Sequence, residues 1–555
     1  MKIELTMIRF NTAYYYILAV KINLIKIFKK IYFKTGTYKK SLVSKVPSQF
    51  FFFPNPFLMS FFSNYKKFAF QINNLDPNNF WNQNYSPKEK KELHNFLWLT
   101  SIDRKDESST LRKIISLWNL NNLKYQSLIW ETSVMSKRLI SWILNADIIL
   151  KNSNFDFKRN FIESIIIQTN HLKKNFKYEI DYQKKIEVIA ALILSGLVFK
   201  EYKENFEYGL NELEKLIQIF FDEDGFPLTR SPNDLLYYTK YFLLIKEVIK
   251  DAQKYVPDNL ENTLEKNLKC LKQITTPANS LPLFNGSVED DLTNFYDFIN
   301  HFKIKIKKPK INVGNIHILK NKKDVVFFEV GGPPKKNYSS CYQSGPLSFE
   351  YFFDGQKIIT NGGFGVNISN KARLLSRFTS SQSTLCLNDT SIVGFEKNNL
   401  MNNAYGFLIK RDFKILNLEN TNNINEIQIK AGHDAYLKNF GCLHNRTISI
   451  DKINDKIVGQ DKLTRKNLSV KIKYDIRFHL YPGLAAVQTI GGNNLLIQIN
   501  KNKALLFSTN EKNLKIEKSI FFGAQKVLDN YCILISGVME SNEKNIDWEI
   551  IKNIK

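Results

Sequence analysis

The spacing of apolar residues changes once along this 555-residue chain, near residue 308, and that change limits the fold more than any other feature. From about residue 87 to residue 305, apolar side chains recur at helix-face spacing, as at positions 139–143 and 186–197. A lysine-rich stretch with one proline follows at 303–310, and beyond it short β-branched and aromatic runs alternate with polar residues. This pattern predicts a helical domain followed by a large antiparallel β-domain.

Prolines and glycines divide the helical half further. The segment 47–60 holds three prolines among aromatic residues and cannot continue a helix, so it is interpreted as a packed linker. Two helices are predicted at 210–221 and 235–249, with a turn rich in Gly and Pro at 222–232 between them. The chain is therefore divided into an N-terminal segment and linker at 1–60, a helical domain at 61–308 and a β-domain at 309–555.

The most specific local signal lies in the β half. An alternating run at 347–353 is followed by Asp354-Gly355 and by a second run at 356–360. Because Asp-Gly supplies the positive φ angles of a two-residue primed turn, a β-hairpin is predicted here. Later runs such as 495–499 and 531–538 continue to the C-terminus, and more than about ten strands are expected in a β-sandwich of stacked sheets.

The formal net charge is +26, from 79 Lys and Arg against 53 Asp and Glu. Such a charge attracts polyanions, among them glycuronans, nucleic acid and anionic lipid. Lysine is spread along the chain together with Asn, Ile and Phe, so compositional bias is the competing interpretation, and no nucleic-acid partner is expected. Five cysteines, an odd number without a Cys-x-x-Cys pair, indicate neither a disulfide framework nor a zinc knuckle.

The N-terminal segment leaves three interpretations open. Its apolar run at 13–20 is followed by Lys21, Lys26, Lys29 and Lys30 at near-helical spacing, without an Ala-x-Ala cleavage site. A retained structural helix, a membrane-surface element and an atypical export signal all fit this pattern. No stretch reaches the roughly eighteen consecutive apolar residues that span a bilayer. The lack of a clear signal favours a cytoplasmic or membrane-peripheral location.

The order of several short motifs resembles the heparinase II/III superfamily of polysaccharide lyases. In the helical half the resemblance rests on Leu97-Trp98-Leu99, Trp130, 136–142, Asp224-Gly225, 230–232 and 281–286. In the β half it rests on 345–350, 361–363, 383–385, 433–436, 444–446, 477–479 and Pro482. The resemblance covers most of the chain. It implies an N-terminal incomplete α/α toroid followed by a C-terminal antiparallel β-sandwich, and a periplasmic location.

The chemistry implied by the resemblance is β-elimination at a uronic acid of an acidic polysaccharide, a glycosaminoglycan or another glycuronan. The C5 proton is weakly acidic, so its removal requires that the neighbouring carboxylate be neutralised by hydrogen-bond donors or cations. A base takes this proton, and an acid protonates the departing glycosidic oxygen.

The sequence departs from the family at the expected catalytic tyrosine. Related lyases carry Ser-Pro-x-Tyr-His after the Asp-Gly turn, whereas this chain has Ser231-Pro232-Asn233-Asp234-Leu235. Tyr237 and Tyr238, one helical turn further on, are the substitute candidates for the acid or base. The alternative is that both are ordinary packing aromatics of a helix.

A second departure concerns the metal position implied by the resemblance. Several lyases place two histidines and an acidic residue there, and the aligned residues of this chain are Gln343, Asn361 and Gln382. Neutral amides are poor zinc ligands and do not accept protons at neutral pH. We therefore predict no bound metal or other cofactor, and a polar site in which these amides hydrogen-bond a sugar carboxylate.

Further candidates carry charge or titrate near neutral pH. His433 and His444 lie in the β half near Arg446 and acidic residues, which indicates either acid–base chemistry or histidines that hydrogen-bond loops at strand ends. Arg446 and Arg230 are candidate substrate-binding cations. Arg230, on the turn between two helices, is suited to bidentate binding of a carboxylate, and the alternative is an ion pair at a helix N-terminus.

Two functions follow. The first is a carbon–oxygen lyase of an anionic polysaccharide, with Arg230, Gln343, Asn361, Gln382 and Arg446 binding the substrate and Tyr237, Tyr238, His433 or His444 moving protons. The second is a catalytically altered protein of the same fold that binds glycans or handles an envelope polymer, because the usual catalytic Tyr and His positions are not retained. The sugar, its linkage and the oligomeric state are left open.

Overall fold

The computed structural model describes residues 2–62, 76–81, 84–102, 104, 108–308, 312–466, 471–492 and 494–552. It divides into two compact units. The helical unit consists of Met1–Phe221, Leu236–Lys266 and Asn294–Lys305, and the β unit consists of Asp222–Leu235, Asn267–Thr293 and Ile306–Lys555. Two segments from the helical part of the sequence therefore belong to the β unit. The domain boundaries at residues 60 and 308 stay a prediction.

Helices occupy nearly all of the regular structure before residue 302. Their bounds are α1 Lys2–Tyr32, α2 Gly36–Leu42, α3 Pro77–Phe80, α4 Pro87–His94, α5 Ser108–Asn122, α6 Thr132–Leu144, α7 Ala146–Leu150, α8 Phe155–Asn175, α9 Tyr182–Val198, α10 Lys203–Phe220, α11 Pro232–Asp251, α12 Asp258–Ile274 and α13 Thr293–His301. No helix among the described residues is long and apolar enough to cross a membrane.

Local signals fix where these helices begin, and aromatic packing holds them together. The side chain of Asn154 accepts the backbone N–H of Phe157 at the start of α8, which is a standard N-cap. In the core, the Trp118 and Trp142 rings lie 5.2 Å apart, and the Arg138 guanidinium stacks on Trp118. All three side chains are fully buried.

Strands dominate the structure after residue 312. Their bounds are β1 Ile316–Lys320, β2 Asp324–Glu329, β3 Phe349–Phe353, β4 Gln356–Thr360, β5 Leu385–Leu387, β6 Ile415–Asn422, β7 Glu426–His433, β8 Cys442–Asp451, β9 Lys456–Arg465, β10 Ile472–Leu480, β11 Ala485–Gln488, β12 Asn494–Asn500, β13 Lys503–Thr509, β14 Leu514–Phe521, β15 Leu528–Met539 and β16 Glu543–Ile551. Short helices α14 Asn370–Leu375, α15 Asn399–Tyr405 and α16 Leu437–Phe440 interrupt them.

The described strands form two antiparallel sheets of eight strands each. One runs β1-β2-β3-β4-β10-β15-β14 with β5 paired to β10, and the other runs β11-β12-β13-β16-β9-β8-β7-β6. The predicted hairpin is present, because Phe353 pairs with Gln356 and the turn residues Asp354 and Gly355 have φ angles of 52° and 82°. The predicted fold class, a helical toroid followed by an antiparallel β-sandwich, is confirmed.

Candidate carboxylate-binding site

The turn before α11 holds Arg230 in an unusual backbone conformation. Ser231 caps α11, since its Oγ accepts the N–H of Asp234 at 3.3 Å, and Pro232 occupies the first helical position, where no N–H is needed. The hydroxyl of Thr229 donates to Asp234 Oδ2 at 2.6 Å, which ties the turn to the first turn of the helix. Arg230, the residue before the cap, has φ = 60°, a region that non-glycine residues rarely occupy.

The guanidinium of Arg230 lies against the backbone of Gly331. A Cβ added to Gly331 would stand 2.2 Å from Nη1 of Arg230, so only glycine leaves room for the guanidinium here. Nη1 is itself buried, and it has no hydrogen-bond partner among the residues that the structure describes. The residue as a whole is partly exposed. Arg230 is therefore a partly exposed cation with one buried donor that is not used, and such a residue is suited to binding an anion.

A buried polar network lies beside Arg230. Glu329, the last residue of β2, accepts a hydrogen bond from Asn285 Nδ2 at 2.8 Å. Gly286, which follows Asn285 in the chain, donates its N–H to Gln343 Oε1 at 3.0 Å. Its φ angle of 92° favours glycine at this position. A Cβ at Gly286 would also meet Cys341 Cβ at 2.7 Å. These contacts fix the loop around Asn285 against the end of β2.

Burial changes the acid–base properties of this network. Burial raises the pKa of Glu329 from 4.5 to about 7, although the Asn285 hydrogen bond and the Arg230 charge both act to lower it. Burial, with a smaller contribution from the Glu329 charge, raises the pKa of Tyr342 well above its usual value. The Tyr342 hydroxyl is buried without a hydrogen-bond partner in the described part of the chain. A carboxyl group that is half protonated at neutral pH is suited to proton transfer.

The three predicted amides lie in the same region of the β unit and are buried. Gln343 Nε2 donates to the carbonyl oxygens of Gly363 at 2.9 Å and Ser376 at 2.7 Å, and Gln382 Nε2 donates to the same Ser376 oxygen at 2.9 Å. Asn361 Oδ1 accepts the N–H of Ser383 at 2.9 Å. The amides of Gln343 and Gln382 therefore join loops of the β unit.

These residues do not fit a zinc ion. Zinc sites in proteins use thiolate, imidazole or carboxylate ligands, whereas Gln343, Asn361 and Gln382 offer neutral oxygens only. The Gln343 oxygen already accepts the Gly286 N–H, and the Asn361 oxygen accepts Ser383. The expected lack of a metal at this position stays a prediction, as does sugar binding by the amides.

The two candidate tyrosines belong to α11 within the helical unit. The hydroxyl of Tyr237 donates to the carboxylate of Glu187, and burial together with that negative charge raises the pKa of Tyr237 well above 10. Tyr238 is fully buried, with its ring 4.6 Å from that of Phe220. Both aromatics take part in helix packing, and Tyr237 would release a proton only with difficulty. A catalytic role for either stays a prediction.

His433, His444 and Arg446 form one buried cluster with Asp461. His444 hydrogen-bonds Asp461 at 2.7 Å and His433 at 3.2 Å. Arg446 donates to both oxygens of Asp461, at 2.8 and 3.0 Å. Trp548 is the third residue at this carboxylate, because its Nε1 donates to Asp461 Oδ2 at 3.0 Å. All five side chains are almost completely closed to solvent.

This cluster connects the two sheets. Arg446, on β8, also donates to the carbonyl oxygens of Leu347 and Ser383, which lie next to strands of the other sheet. Burial lowers the pKa of both histidines, so they are neutral at physiological pH. A substrate would reach them only if the sandwich opened. The geometry agrees with the structural interpretation of these histidines, and their catalytic role stays a prediction.

Glu329, Asn285 and Tyr342 were not predicted as site residues from the sequence. The one available signal was a single acidic residue, Glu329, within an otherwise apolar run at 325–330. A carboxylate buried in such a run needs either a partner or a raised pKa. Asn285 lay within a motif that carried the family resemblance, although no role was assigned to it.

Glu329→Gln is expected to remove a pH-dependent loss of stability. Between pH 4.5 and about 7 the unfolded chain has released this proton while the folded protein still binds it, so wild-type stability falls as pH rises through this window. Glutamine cannot ionise and keeps an acceptor for Asn285. The variant should therefore be more stable at pH 8 by about 1–3 kcal/mol and similar at pH 4. Urea unfolding at both pH values checks this, and parallel pH profiles would contradict it.

Two models of one protein family match this chain in succession. The family model for the heparinase II/III N-terminus matches residues 111–305, and the heparinase II/III-like C-terminal model matches residues 306–549. No curated protein sequence is a significant match.

Several solved structures share the fold at low sequence identity. Heparan sulfate lyase HepC from Pedobacter heparinus is 16% identical with a TM-score of 0.60, over 86% of this chain and 79% of that one. A heparinase III structure is also 16% identical with a TM-score of 0.65, over 85% and 78%. The heparinase III BT4657 gene product is 14% identical with a TM-score of 0.63, over 89% and 82%. These structures share the architecture of a toroid followed by a sandwich. Because the two consecutive family models together cover residues 111–549, the chain belongs to the heparinase II/III-like family.

Proposed function

We propose that this protein binds an acidic polysaccharide at Arg230 and cleaves it by β-elimination. The observation that carries the proposal is Arg230, a partly exposed residue whose buried Nη1 has no hydrogen-bond partner among the described residues. The planar fork of an arginine matches the two oxygens of a carboxylate. A uronate carboxylate of a glycuronan supplies that group, and the net charge of +26 favours association with such a polyanion.

Glu329 is the proposed base. Neutralisation of the uronate by Arg230 makes the C5 proton more acidic, because negative charge develops on the carboxylate as the proton leaves. The Glu329 carboxylate accepts that proton, the C4–O bond breaks, and a C4–C5 double bond forms. Protonated Glu329 or the Tyr342 phenol then donates a proton to the departing glycosidic oxygen. The Glu329 pKa of about 7 allows both protonation states near neutral pH.

The second candidate function is glycan binding without cleavage, as in a protein that handles an envelope polymer. The observation that favours it is burial. Glu329 is 2% exposed and Tyr342 is fully buried, so a substrate would reach them only after movement of neighbouring residues. The four residues first considered for acid–base chemistry are engaged in packing or in hydrogen bonds with their neighbours. Arg230, by contrast, is partly exposed.

A product assay separates the two functions. Purified protein is incubated with a panel of glycuronans, and the unsaturated uronate formed by elimination is followed by ultraviolet absorbance. A lyase gives product with the wild type, none with Arg230→Ala, and none with Glu329→Gln although this variant still binds the polymer. Binding of a glycuronan without product from any polymer identifies the binding function. Failure to bind any polymer of the panel rejects both.

A further inference from the structure

Helix α1 exposes an apolar stripe on one face. Ile17, Leu24, Phe28 and Ile31 are each more than 60% exposed. At 3.6 residues per turn these four positions fall within an arc of about 60° around the helix axis. Exposed apolar side chains scattered over a surface are ordinary, but a row of large ones along one face of a helix marks an interaction site.

A different face of α1 attaches the helix to the helical unit. Ala19 is fully buried, and the Lys29 ammonium lies 3.9 Å from the centre of the Tyr178 ring. Directly after the helix, the ring of Phe33 packs against Tyr125 at 5.1 Å and His171 at 4.9 Å. The apolar stripe is therefore not the surface that holds α1 in place, and it is left for a partner outside the described chain.

The surroundings of the stripe are cationic. Residues 5–60 contain nine lysines and arginines and no aspartate or glutamate. Among them Lys21, Lys30 and Lys34 are exposed on or next to α1. Tyr14, which is 59% exposed, extends the stripe toward the N-terminus with a ring that has one apolar and one polar end. Apolar residues with tyrosine and flanking lysines are the composition of helices that lie in the membrane interface.

We propose that α1 docks on the surface of a bilayer that contains anionic lipid. The stripe of Ile17, Leu24, Phe28 and Ile31 enters the boundary between headgroups and acyl chains, and the lysines contact the headgroup phosphates. A second copy of this chain is a poorer occupant, because a two-fold contact through the stripe would bring the lysine-rich surfaces of both copies together. A polysaccharide would pair with the lysines but would leave the aliphatic side chains exposed to water.

Vesicle co-sedimentation of the full chain tests this. The protein should sediment with vesicles of phosphatidylcholine and phosphatidylglycerol, and much less with phosphatidylcholine alone. The double variant L24E/F28E should partition about tenfold more weakly, since two side chains at the apolar boundary become charged. The matched control I453E/I490E makes the same change at two exposed isoleucines of the β unit and should bind as the wild type does. The variant K21E/K30E should lose the preference for anionic vesicles.

Two controls keep the result interpretable. Thermal unfolding of L24E/F28E should match the wild type, because both side chains are exposed. Sedimentation velocity without lipid should give the same mass for both proteins. The proposal is wrong if the wild type ignores anionic vesicles, if L24E/F28E binds them as tightly as the wild type, or if L24E/F28E converts a lipid-free dimer into a monomer.

Discussion

Arg230→Ala should weaken binding of an acidic oligosaccharide by about 10- to 100-fold, the range expected when charge-assisted hydrogen bonds to one carboxylate are lost. The free energy of unfolding should change by less than about 1 kcal/mol, because Nη1 of Arg230 makes no hydrogen bond among the described residues. Loss of the Arg230 charge should also raise the pKa of Glu329 further, since that charge lowers it in the wild type. Calorimetric titration measures the loss of affinity, and urea unfolding measures the change in stability.

Three variants serve as controls for this prediction. Gly331→Ala places a methyl group where Nη1 of Arg230 lies, so it should displace the guanidinium. This variant should therefore also bind the acidic oligosaccharide more weakly than the wild type does. Gly491→Ala has open space around the new methyl group and should bind normally. Arg159→Ala removes an exposed arginine of α8 and should have little effect. If Arg230→Ala binds as tightly as the wild type, Arg230 does not hold the carboxylate.

Asp461→Ala should destabilise the β unit by about 3–5 kcal/mol, the cost of leaving a buried charge without its partner. Asp461 accepts hydrogen bonds from Arg446, His444 and Trp548. Without Asp461, the buried Arg446 guanidinium keeps only the carbonyl oxygens of Leu347 and Ser383 as hydrogen-bond acceptors. Burial alone would raise the pKa of Asp461, but the Arg446 charge and the His444 hydrogen bond lower it, so the carboxylate is ionised in the wild type.

Urea or thermal unfolding of the full chain measures this loss. Asp529→Ala, which removes an exposed aspartate from β15, is the matched control and should change stability by less than about 0.5 kcal/mol. A neutral effect of Asp461→Ala on stability, combined with a loss of product formation, would contradict the structural role and support acid–base chemistry by His433 or His444.

Local patterns in the sequence predicted the regular structure well. The Asp354-Gly355 hairpin was predictable because a two-residue primed turn depends on the turn residues and the alternating runs beside them. The change from helix to strand was predictable because apolar spacing reports the repeat of each element. The assignment of residues 222–235 and 267–293 to the β unit was not predictable from the sequence, because periodicity does not show against which core a segment packs.

The candidate site was only partly predictable. Arg230 followed from a motif, and the structure adds what no motif contains, the positive φ angle and the contact with Gly331. The raised pKa of Glu329 depends on burial created by residues distant in sequence, so composition gave no sign of it. The partners of His444 and Arg446 likewise follow from strand pairing, which places Arg446 opposite Asp461.

The central claim is that Arg230 binds a uronate carboxylate, and calorimetric titration of the wild-type protein with two ligands tests it most directly. One ligand is an oligoglycuronate, and the other is the same oligosaccharide after its carboxyl groups have been reduced to neutral alcohols. If Arg230 holds a uronate carboxylate, the acidic oligosaccharide binds and the reduced one binds at least about tenfold more weakly, with Arg230→Ala removing most of the difference. Equal affinity for both oligosaccharides, or a preference for the acidic one that persists in Arg230→Ala, would contradict the claim.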